Sequence, residues 1–165
     1  MAEKISHDFA PVYDGKSKIL ILGTLPSVKS RESNFYYGHP QNRFWKVAAA
    51  LTGSPVPVTV EEKKSMLLNS GIAVWDVIAS CTIEGSSDSS IKDVIPNDVA
   101  GLLEGSSIEA VFCNGGKAYE LYEKYCEKRQ GAPKAIKLPS TSPANAAWNL
   151  EKLTAAWKEK TGRYL

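Results

Sequence analysis

The sequence predicts a three-layer α/β/α sandwich around a central four-stranded parallel sheet. Short apolar runs alternate with amphipathic stretches along the chain, a pattern typical of parallel strands that are covered by helices on both faces. With 165 residues, of which 43% are hydrophobic, the chain can form one well-buried core. Because no long linker interrupts the pattern, we predict a single domain over residues 1–165.

The predicted strands are short and mostly apolar, and polar or turn residues follow each of them. They cover residues 19–22, 72–77, 108–113 and 135–138. The predicted helices combine an apolar face with a polar one. They cover residues 43–51, 61–69, 98–103, 117–128 and 144–160.

Local signals mark two helix starts and one loop. Thr59 and Glu62 have the spacing of a capping box, in which each side chain bonds the backbone N–H of the other residue. Asn97, after Pro96, is a predicted N-cap for the next helix. Residues 80–90, SCTIEGSSDSS, are rich in serine and are predicted to form an exposed loop.

Charge and cysteine content narrow the classes of function. The net charge is +2, so any attraction to phosphate must come from a local patch. The three cysteines have no paired CxxC spacing, so neither a disulfide framework nor a metal site is predicted. No apolar run approaches the ~20 residues of a membrane helix, and the first residues lack the apolar stretch of a signal peptide. We therefore expect a cytoplasmic protein without a membrane partner, and we expect it to be a monomer.

Three polar or glycine-rich loops follow predicted strands, at the sheet edge where parallel α/β proteins bind ligands. They contain GTLPS (23–27), NGGK (114–117) and PSTSPAN (139–145). The first lacks both the dinucleotide and the phosphate-loop patterns, so a nucleotide-cofactor enzyme is disfavoured and no cofactor is predicted. A Ser-His-Asp hydrolase is also disfavoured, because no Gly-x-Ser-x-Gly occurs and the histidines are limited to His7 and His39.

The densest group of chemically active side chains is YYGHPQNRFW at residues 36–45. Aromatic faces can stack on a flat base, amides can hydrogen-bond its edge or hold a water, and arginine can bind phosphate. This combination suits a nucleotide that has been turned out of a nucleic acid.

Five segments occur in the order found in the uracil-DNA glycosylase superfamily, namely GTLPS, YYGHPQNRFW, GIAVWDV, FCNGGKA and LPSTSPAN. HPxNRFW is similar to the mismatch-specific uracil and thymine glycosylases, whereas GTLPS and LPSTSPAN more closely resemble the hypoxanthine (deoxyinosine) DNA glycosylases. The mismatch-specific enzymes carry a water-positioning asparagine in the first loop, where this chain has Leu25. The resemblance implies a monofunctional, metal-independent glycosylase that removes a deaminated base from DNA. Among such bases, the resemblance favours hypoxanthine.

The resemblance also implies roles for individual residues. Asn42 would be catalytic and position the attacking water. Tyr37 would stack on the base, and Asn114, Gly23 and Thr24 would complete the base-binding site. The predicted DNA-binding residues are Arg43, Ser140, Thr141, Ser142, Pro143, Ala144 and Asn145, with Ala144 at the position of the wedge that enters the duplex.

Each role has a structural alternative. Asn42 stands before a predicted helix, where asparagine is a favoured N-cap, and Asn114 before Gly115 is an ordinary turn pair. Arg43 could be a solvated surface residue, and the serines of residues 140–143 could cap the final helix. At the level of function, the alternatives are a uracil or mismatch-specific glycosylase and a non-catalytic nucleic-acid-binding module on the same fold.

Overall fold

A computed structural model describes residues 3–6, 10–25, 35–84 and 90–165, the first of these ranges as backbone only. The strands within these residues are β1 (Glu3–Ser6), β2 (Ile19–Gly23), β3 (Ile72–Asp76), β4 (Ile78–Ile83), β5 (Lys92–Pro96), β6 (Ala110–Asn114) and β7 (Ile136–Leu138). The α-helices are α1 (Phe44–Thr52), α2 (Val60–Asn69), α3 (Val99–Glu104), α4 (Gly116–Tyr122), α5 (Lys128–Gln130) and α6 (Leu150–Thr161), and a π-helical segment, Glu123–Glu127, joins α4 to α5.

In the part of the chain that the structure describes, the central sheet has four strands in the order β3-β2-β6-β7. Every neighbouring pair is parallel. Ile19 and Ile21 of β2 pack with α1, α2 and α6, whereas Leu20 and Leu22 pack with α3 and α4. Because side chains alternate between the two faces of a strand, both faces of the sheet are covered, and the predicted α/β/α sandwich is confirmed.

A second, antiparallel sheet with the order β1-β4-β5 was not predicted. It makes the predicted loop over residues 80–90 wrong for its first part, since residues 80–83 continue β4. Cys81 and Ile83 are buried in the same apolar cluster as Leu20. Because Ser80 and Thr82 alternate with the apolar residues, the alternation typical of a strand was not recognised in the sequence. The rest of the predicted loop, residues 85–89, lies outside the described residues.

The helix starts follow local capping. The Thr59–Glu62 capping box is confirmed. The predicted N-cap Asn97 is wrong, because Asp98 accepts the backbone N–H of Gly101 at 3.0 Å. The last helix begins six residues later than predicted, since the Asn149 side chain caps α6 by accepting the N–H of Lys152 at 2.8 Å.

In the described residues, no helix combines the length and the apolar character that crossing a membrane requires.

Candidate active site

Two asparagines from different loops meet on one buried threonine at the carboxyl edge of the parallel sheet. Thr141, which has no exposed surface, donates its hydroxyl to Asn42 Oδ1 at 2.8 Å. The same hydroxyl accepts Asn114 Nδ2 at 3.0 Å. The Thr141 backbone N–H in turn donates to Asn114 Oδ1, also at 3.0 Å. The predicted catalytic residue and the predicted base-reading residue therefore belong to one hydrogen-bond network.

Asn42 lies where the loop before α1 turns into the helix. Its Oδ1 accepts the backbone N–H of Phe44 at 2.9 Å, so the amide also satisfies one of the donors that every helix start leaves without an intrahelical partner. The formal N-cap is Arg43, whose side chain makes no capping bond. The predicted helix-start role and the contact with Thr141 thus use the same oxygen of Asn42.

Asn114 ends β6, where a glycine allows the next loop to approach. Gly115 has a φ of +100°, which side-chain-bearing residues rarely adopt. A Cβ atom there would lie 3.1 Å from Ser140 Cβ. The predicted turn at Asn114 and Gly115 is therefore present, and it brings the amide next to the loop that follows β7.

Tyr37 lies on the other side of the site with one ring face covered. Its ring stacks on Phe44 with centroids 4.1 Å apart and planes 17° apart, so a base can stack only on the opposite face. The backbone of Tyr37 has a φ of 52°, an unusual conformation for a residue other than glycine. Its buried hydroxyl makes no hydrogen bond of normal geometry among the described residues, but the side chain of Asn114 is near enough to lower its pKa, against the larger effect of burial.

Gly23, at the end of β2, touches this tyrosine. A Cβ atom on Gly23 would lie 3.1 Å from the Tyr37 hydroxyl and 2.5 Å from Asp76 Oδ1, so only glycine allows these groups to come so close. The carbonyl groups of Gly23 and Thr24 accept the N–H groups of Val77 and Ile78. Gly23 thus lies against Tyr37 and Asp76, the backbone of Thr24 bonds the first residue of β4, and Leu25 packs against an apolar cluster.

Asp76 ends β3 and is a functional candidate to which the sequence analysis gave no role. It is buried, and desolvation raises the pKa of its carboxyl to about 7. Burial, followed by the nearby Asp76, raises the pKa of both Tyr36 and Tyr37. The signal that could have identified Asp76 is an acidic residue at the carboxyl end of an apolar strand, within the quoted segment GIAVWDV.

Arg43 is turned toward the protein backbone. Its guanidinium donates to the carbonyl oxygens of Ser142 at 2.8 Å, Asn145 at 3.2 Å and, through Nε, Thr141 at 3.4 Å. A fourth bond reaches the carbonyl of Trp148. In this arrangement the guanidinium orders the loop after β7 and leaves few donors for the predicted phosphate contact.

The remaining predicted DNA-binding residues form a loop with its own hydrogen bonds. Ser140 Oγ accepts the N–H of Ser142, and Ser142 Oγ accepts the N–H of Ala144. Asn145 Nδ2 donates to the carbonyl of Ser140 at 3.0 Å. Pro143 and Ala144 are exposed, so the tip of this loop is available to a partner whereas its base is held by the protein.

His39 uses Nδ1 to accept the backbone N–H of Gln41, and His7, Pro26 and Ser27 lie outside the described residues. Within the described ranges, no group of three or more His, Cys, Asp or Glu side chains could hold a metal ion. The three cysteines are buried, and none of them forms a disulfide.

The chain is similar in sequence to known DNA glycosylases. A family model described as the uracil DNA glycosylase superfamily matches residues 10–161. A protein named hypoxanthine DNA glycosylase from Methanosarcina acetivorans is 39% identical over 143 residues, which is 86% of this chain and 89% of that relative. A protein of the same name from Methanosarcina barkeri is 33% identical over 153 residues, or 92% and 94% of the two chains.

A solved structure agrees with these relatives. The solution NMR structure of a Methanosarcina acetivorans protein, assigned to the uracil DNA glycosylases, has a TM-score of 0.75 and 35% sequence identity. The match covers 92% of this chain and 95% of that one. The family model and both relatives span most of the sequence, which confirms the resemblance on which the site was predicted. The chain belongs to the uracil DNA glycosylase superfamily.

Proposed function

We propose that this chain is a monofunctional DNA glycosylase that hydrolyses the N-glycosidic bond of hypoxanthine turned out of DNA. The observation that carries the proposal is the bridge from Asn42 through the buried Thr141 to Asn114, near the hydroxyl of Tyr37. It gives one edge of the sheet two fixed amides and an aromatic surface, which are the groups that a flipped base requires. The names of the two relatives support hypoxanthine as the base.

Hydrolysis of this bond needs a positioned water and stabilisation of a sugar that becomes cationic as the base departs. Asn42 positions the water. A cationic sugar reacts readily even with a neutral water, so the side chain needs to orient the nucleophile rather than remove its proton. An amide can do this without a metal or another cofactor.

The base is held from its edge and its face. Asn114 retains one N–H and one oxygen lone pair beyond its bonds to Thr141, and we assign both to the edge of the base. Tyr37 stacks on the base with the ring face opposite Phe44. We assign the backbone of Gly23 and Thr24, at and after the end of β2, to the remaining side of the base.

The loop of residues 140–145 holds the DNA strand. Its serine hydroxyls retain their protons for phosphate oxygens, because each accepts a backbone N–H and does not donate in those bonds. Pro143 and Ala144 at the tip face the vacated base position. Arg43 supports this function from inside, by ordering the loop.

The proposed reaction leaves an abasic site, without a covalent lysine intermediate. Lys117, the lysine nearest to Asn114 in sequence, lies on α4 with its Nζ 3.8 Å from Glu120 Oε1. Lys117 is thus engaged in an ion pair with Glu120, and we assign it no nucleophilic role. We further propose that the enzyme works as a cytoplasmic monomer, which sedimentation with and without substrate DNA can check.

The test is incubation with inosine-containing and uracil-containing oligonucleotides, followed by alkali. We expect scission at inosine after alkali and not before it, at the same rate in EDTA. Retention of the oligonucleotide without scission would support a binding module instead, and faster scission at uracil would support the uracil-specific alternative. Inhibition by EDTA that added metal reverses would contradict the metal-independent mechanism.

A further inference from the structure

The orientation of the Asn114 amide is set by the main chain. Its Oδ1 lies 3.0 Å from the backbone nitrogen of Thr141. A backbone N–H can only donate, so the amide atom that faces it must be the oxygen. The amide nitrogen is therefore the atom that faces the Thr141 hydroxyl, 3.0 Å away, and this hydroxyl must accept.

The orientation of the Asn42 amide is set in the same way by another backbone donor. Asn42 Oδ1 lies 2.9 Å from the nitrogen of Phe44, which again requires oxygen at that position. The Thr141 hydroxyl lies 2.8 Å from the same oxygen. Because the hydroxyl oxygen already accepts from Asn114, its proton is directed at Asn42.

These bonds leave the two ends of the Asn42 amide in different states. Oδ1 accepts two hydrogen bonds, which matches the two lone pairs of a carbonyl oxygen. The two N–H donors of Nδ2 have no acceptor among the described residues, and the side chain is partly exposed. The end of the amide that remains for a ligand is a donor.

We propose that Thr141 is a positioning residue that fixes the hydrogen-bonding polarity of the site, so that Asn42 meets its ligand through Nδ2. The inference rests on the proposed function and deepens it. The N–H groups of Asn42 hold the attacking water by its oxygen, which leaves the second lone pair of that oxygen for the sugar carbon. Thr141 touches neither the water nor the base, and it acts by holding both amides.

The first experiment replaces the hydroxyl with a methyl group of nearly the same shape. In Thr141→Val the rate of base release from an inosine oligonucleotide, measured with enzyme in excess, should fall by about 10- to 100-fold. The Kd for the oligonucleotide should change less than the rate does, since the exposed loop tip is unaltered. Thr141→Ser, which keeps the hydroxyl, should restore the rate.

A matched control is available in α6. Thr161 is as fully buried as Thr141, and its hydroxyl donates to the carbonyl of Trp157 at 2.8 Å. Thr161→Val removes a buried hydroxyl outside the site, so it should lower the melting temperature without lowering the rate. Equal rates in Thr141→Val and Thr161→Val would overturn the role of Thr141.

The second experiment reverses the polarity of Asn42. Asn42→Asp keeps an oxygen for Phe44 and Thr141 but replaces the N–H donors with a second oxygen. If the site needs a donor, this variant loses base release as completely as Asn42→Ala. Base release by Asn42→Asp near the wild-type rate would overturn the proposed polarity.

A third readout does not depend on turnover. In 15N-labelled protein, Thr141→Val should shift the side-chain amide signals of Asn42 and Asn114, and Thr161→Val should leave them in place. Unshifted signals in Thr141→Val would overturn the network. Wild-type protein that releases no base from inosine would contradict the proposed function, while the amide signals still decide the inference about Thr141.

Discussion

The two halves of the carboxyl edge of the parallel sheet differ in how their polar groups are satisfied. On the side of β6 and β7, Asn42, Asn114 and Thr141 bond to one another and to backbone N–H groups. On the side of β2 and β3, the buried Tyr37 hydroxyl makes no hydrogen bond of normal geometry among the described residues. There, burial raises the pKa of the Asp76 carboxyl to about 7.

The polar groups on the side of β6 and β7 are already held in place before substrate binds. The side of β2 and β3 instead contains buried polar groups that lower the stability of the fold. Fixed dipoles stabilise a transition state because they need not reorient during the reaction. A buried polar group without a partner, in contrast, costs about 1 to 3 kcal/mol. Substitutions in the first half should therefore damage activity, and substitutions in the second half can change stability in either direction.

The largest effect is expected from Asn42→Ala, which should abolish base release while DNA binding persists. In the proposed mechanism the Asn42 amide acts on the water, whereas the exposed tip of the loop after β7 contacts the DNA. Because Asn42 also bonds the N–H of Phe44, the variant should lose about 1 kcal/mol of stability as well. A thermal melt and a single-turnover assay on the same sample measure both effects.

Asn149→Ala is the matched control for that experiment. Asn149 caps α6 through the same kind of bond, from its Oδ1 to the N–H of Lys152. The control should lose a similar amount of stability and keep the wild-type rate. If Asn42→Ala also keeps the wild-type rate, Asn42 is only a structural residue of the helix start.

Arg43→Lys is expected to have the next largest effect, because lysine keeps the charge but not the planar set of donors. Carbonyl groups of the loop after β7 would lose their partners, at a cost of about 2 kcal/mol. We expect slower base release with an unchanged salt dependence of DNA binding. If Arg43 contacts phosphate instead, Arg43→Gln should reduce the slope of log K against log salt by about 1, and lysine should substitute well.

Most of the fold could be predicted because the strands of a buried parallel sheet are continuous apolar runs. Residues 19–22 illustrate this, since each of them is fully buried in β2. Strand β4 was missed because Ser80 and Thr82 alternate with Cys81 and Ile83, and the polar residues dominate the composition. Pairing with β1 and β5 decides that these residues form a strand, and this long-range contact leaves no local signal.

The sequence motifs named residues that the structure brings together, but they gave no indication of the hydrogen bonds between them. Asn42, Asn114 and Thr141 were identified from motifs, yet 99 residues separate Asn42 from Thr141 along the chain. The Arg43 side chain is oriented by backbone carbonyl groups. Every residue type has such a group, so the sequence gives no signal for this contact. Asp76 gains its raised pKa from burial by neighbours that a single motif does not reveal.

Asp76→Asn tests the contribution of a buried carboxyl, on the side of β2 and β3, to the stability of the fold. The folded carboxyl has a pKa of about 7, above the ordinary value of 3.8, so the folded state binds the proton more tightly than the unfolded state. The stabilising contribution of protonated Asp76 is fully present below pH 3.8 and is lost as the pH rises through 7. The amide in the variant stays neutral, so the melting temperature of the variant relative to wild type should rise between about pH 5 and about pH 8.

The two tyrosines near Asp76 do not titrate in this range of pH. The pKa of Tyr36 and of Tyr37 is raised, so both phenols remain neutral across this range of pH. Melting curves at its two ends, for both proteins, give the comparison. A difference in melting temperature that does not change with pH would show that the Asp76 carboxyl does not titrate in this range.

The smallest effect is expected at the exposed loop tip, where Ala144→Leu should shift the enzyme toward duplex DNA. Glycosylases that act on paired DNA commonly fill the vacated space with an apolar side chain, and alanine is too short to do so. The amide nitrogen of Asn145 is held by the carbonyl of Ser140, which limits its use as a substitute. The wild type should therefore release hypoxanthine at comparable rates from single-stranded and mispaired DNA.

Leucine at position 144 would cover apolar surface that alanine leaves open. If about 1.5 kcal/mol of that burial is realised in the duplex complex, the ratio of the duplex rate to the single-strand rate should rise by about tenfold. Ala146→Leu, at an exposed position of the same loop, is the matched control and should leave the ratio unchanged. Single-turnover rates on both substrates decide the outcome, because a strong duplex preference in the wild type that Ala144→Leu does not alter would place the wedge elsewhere.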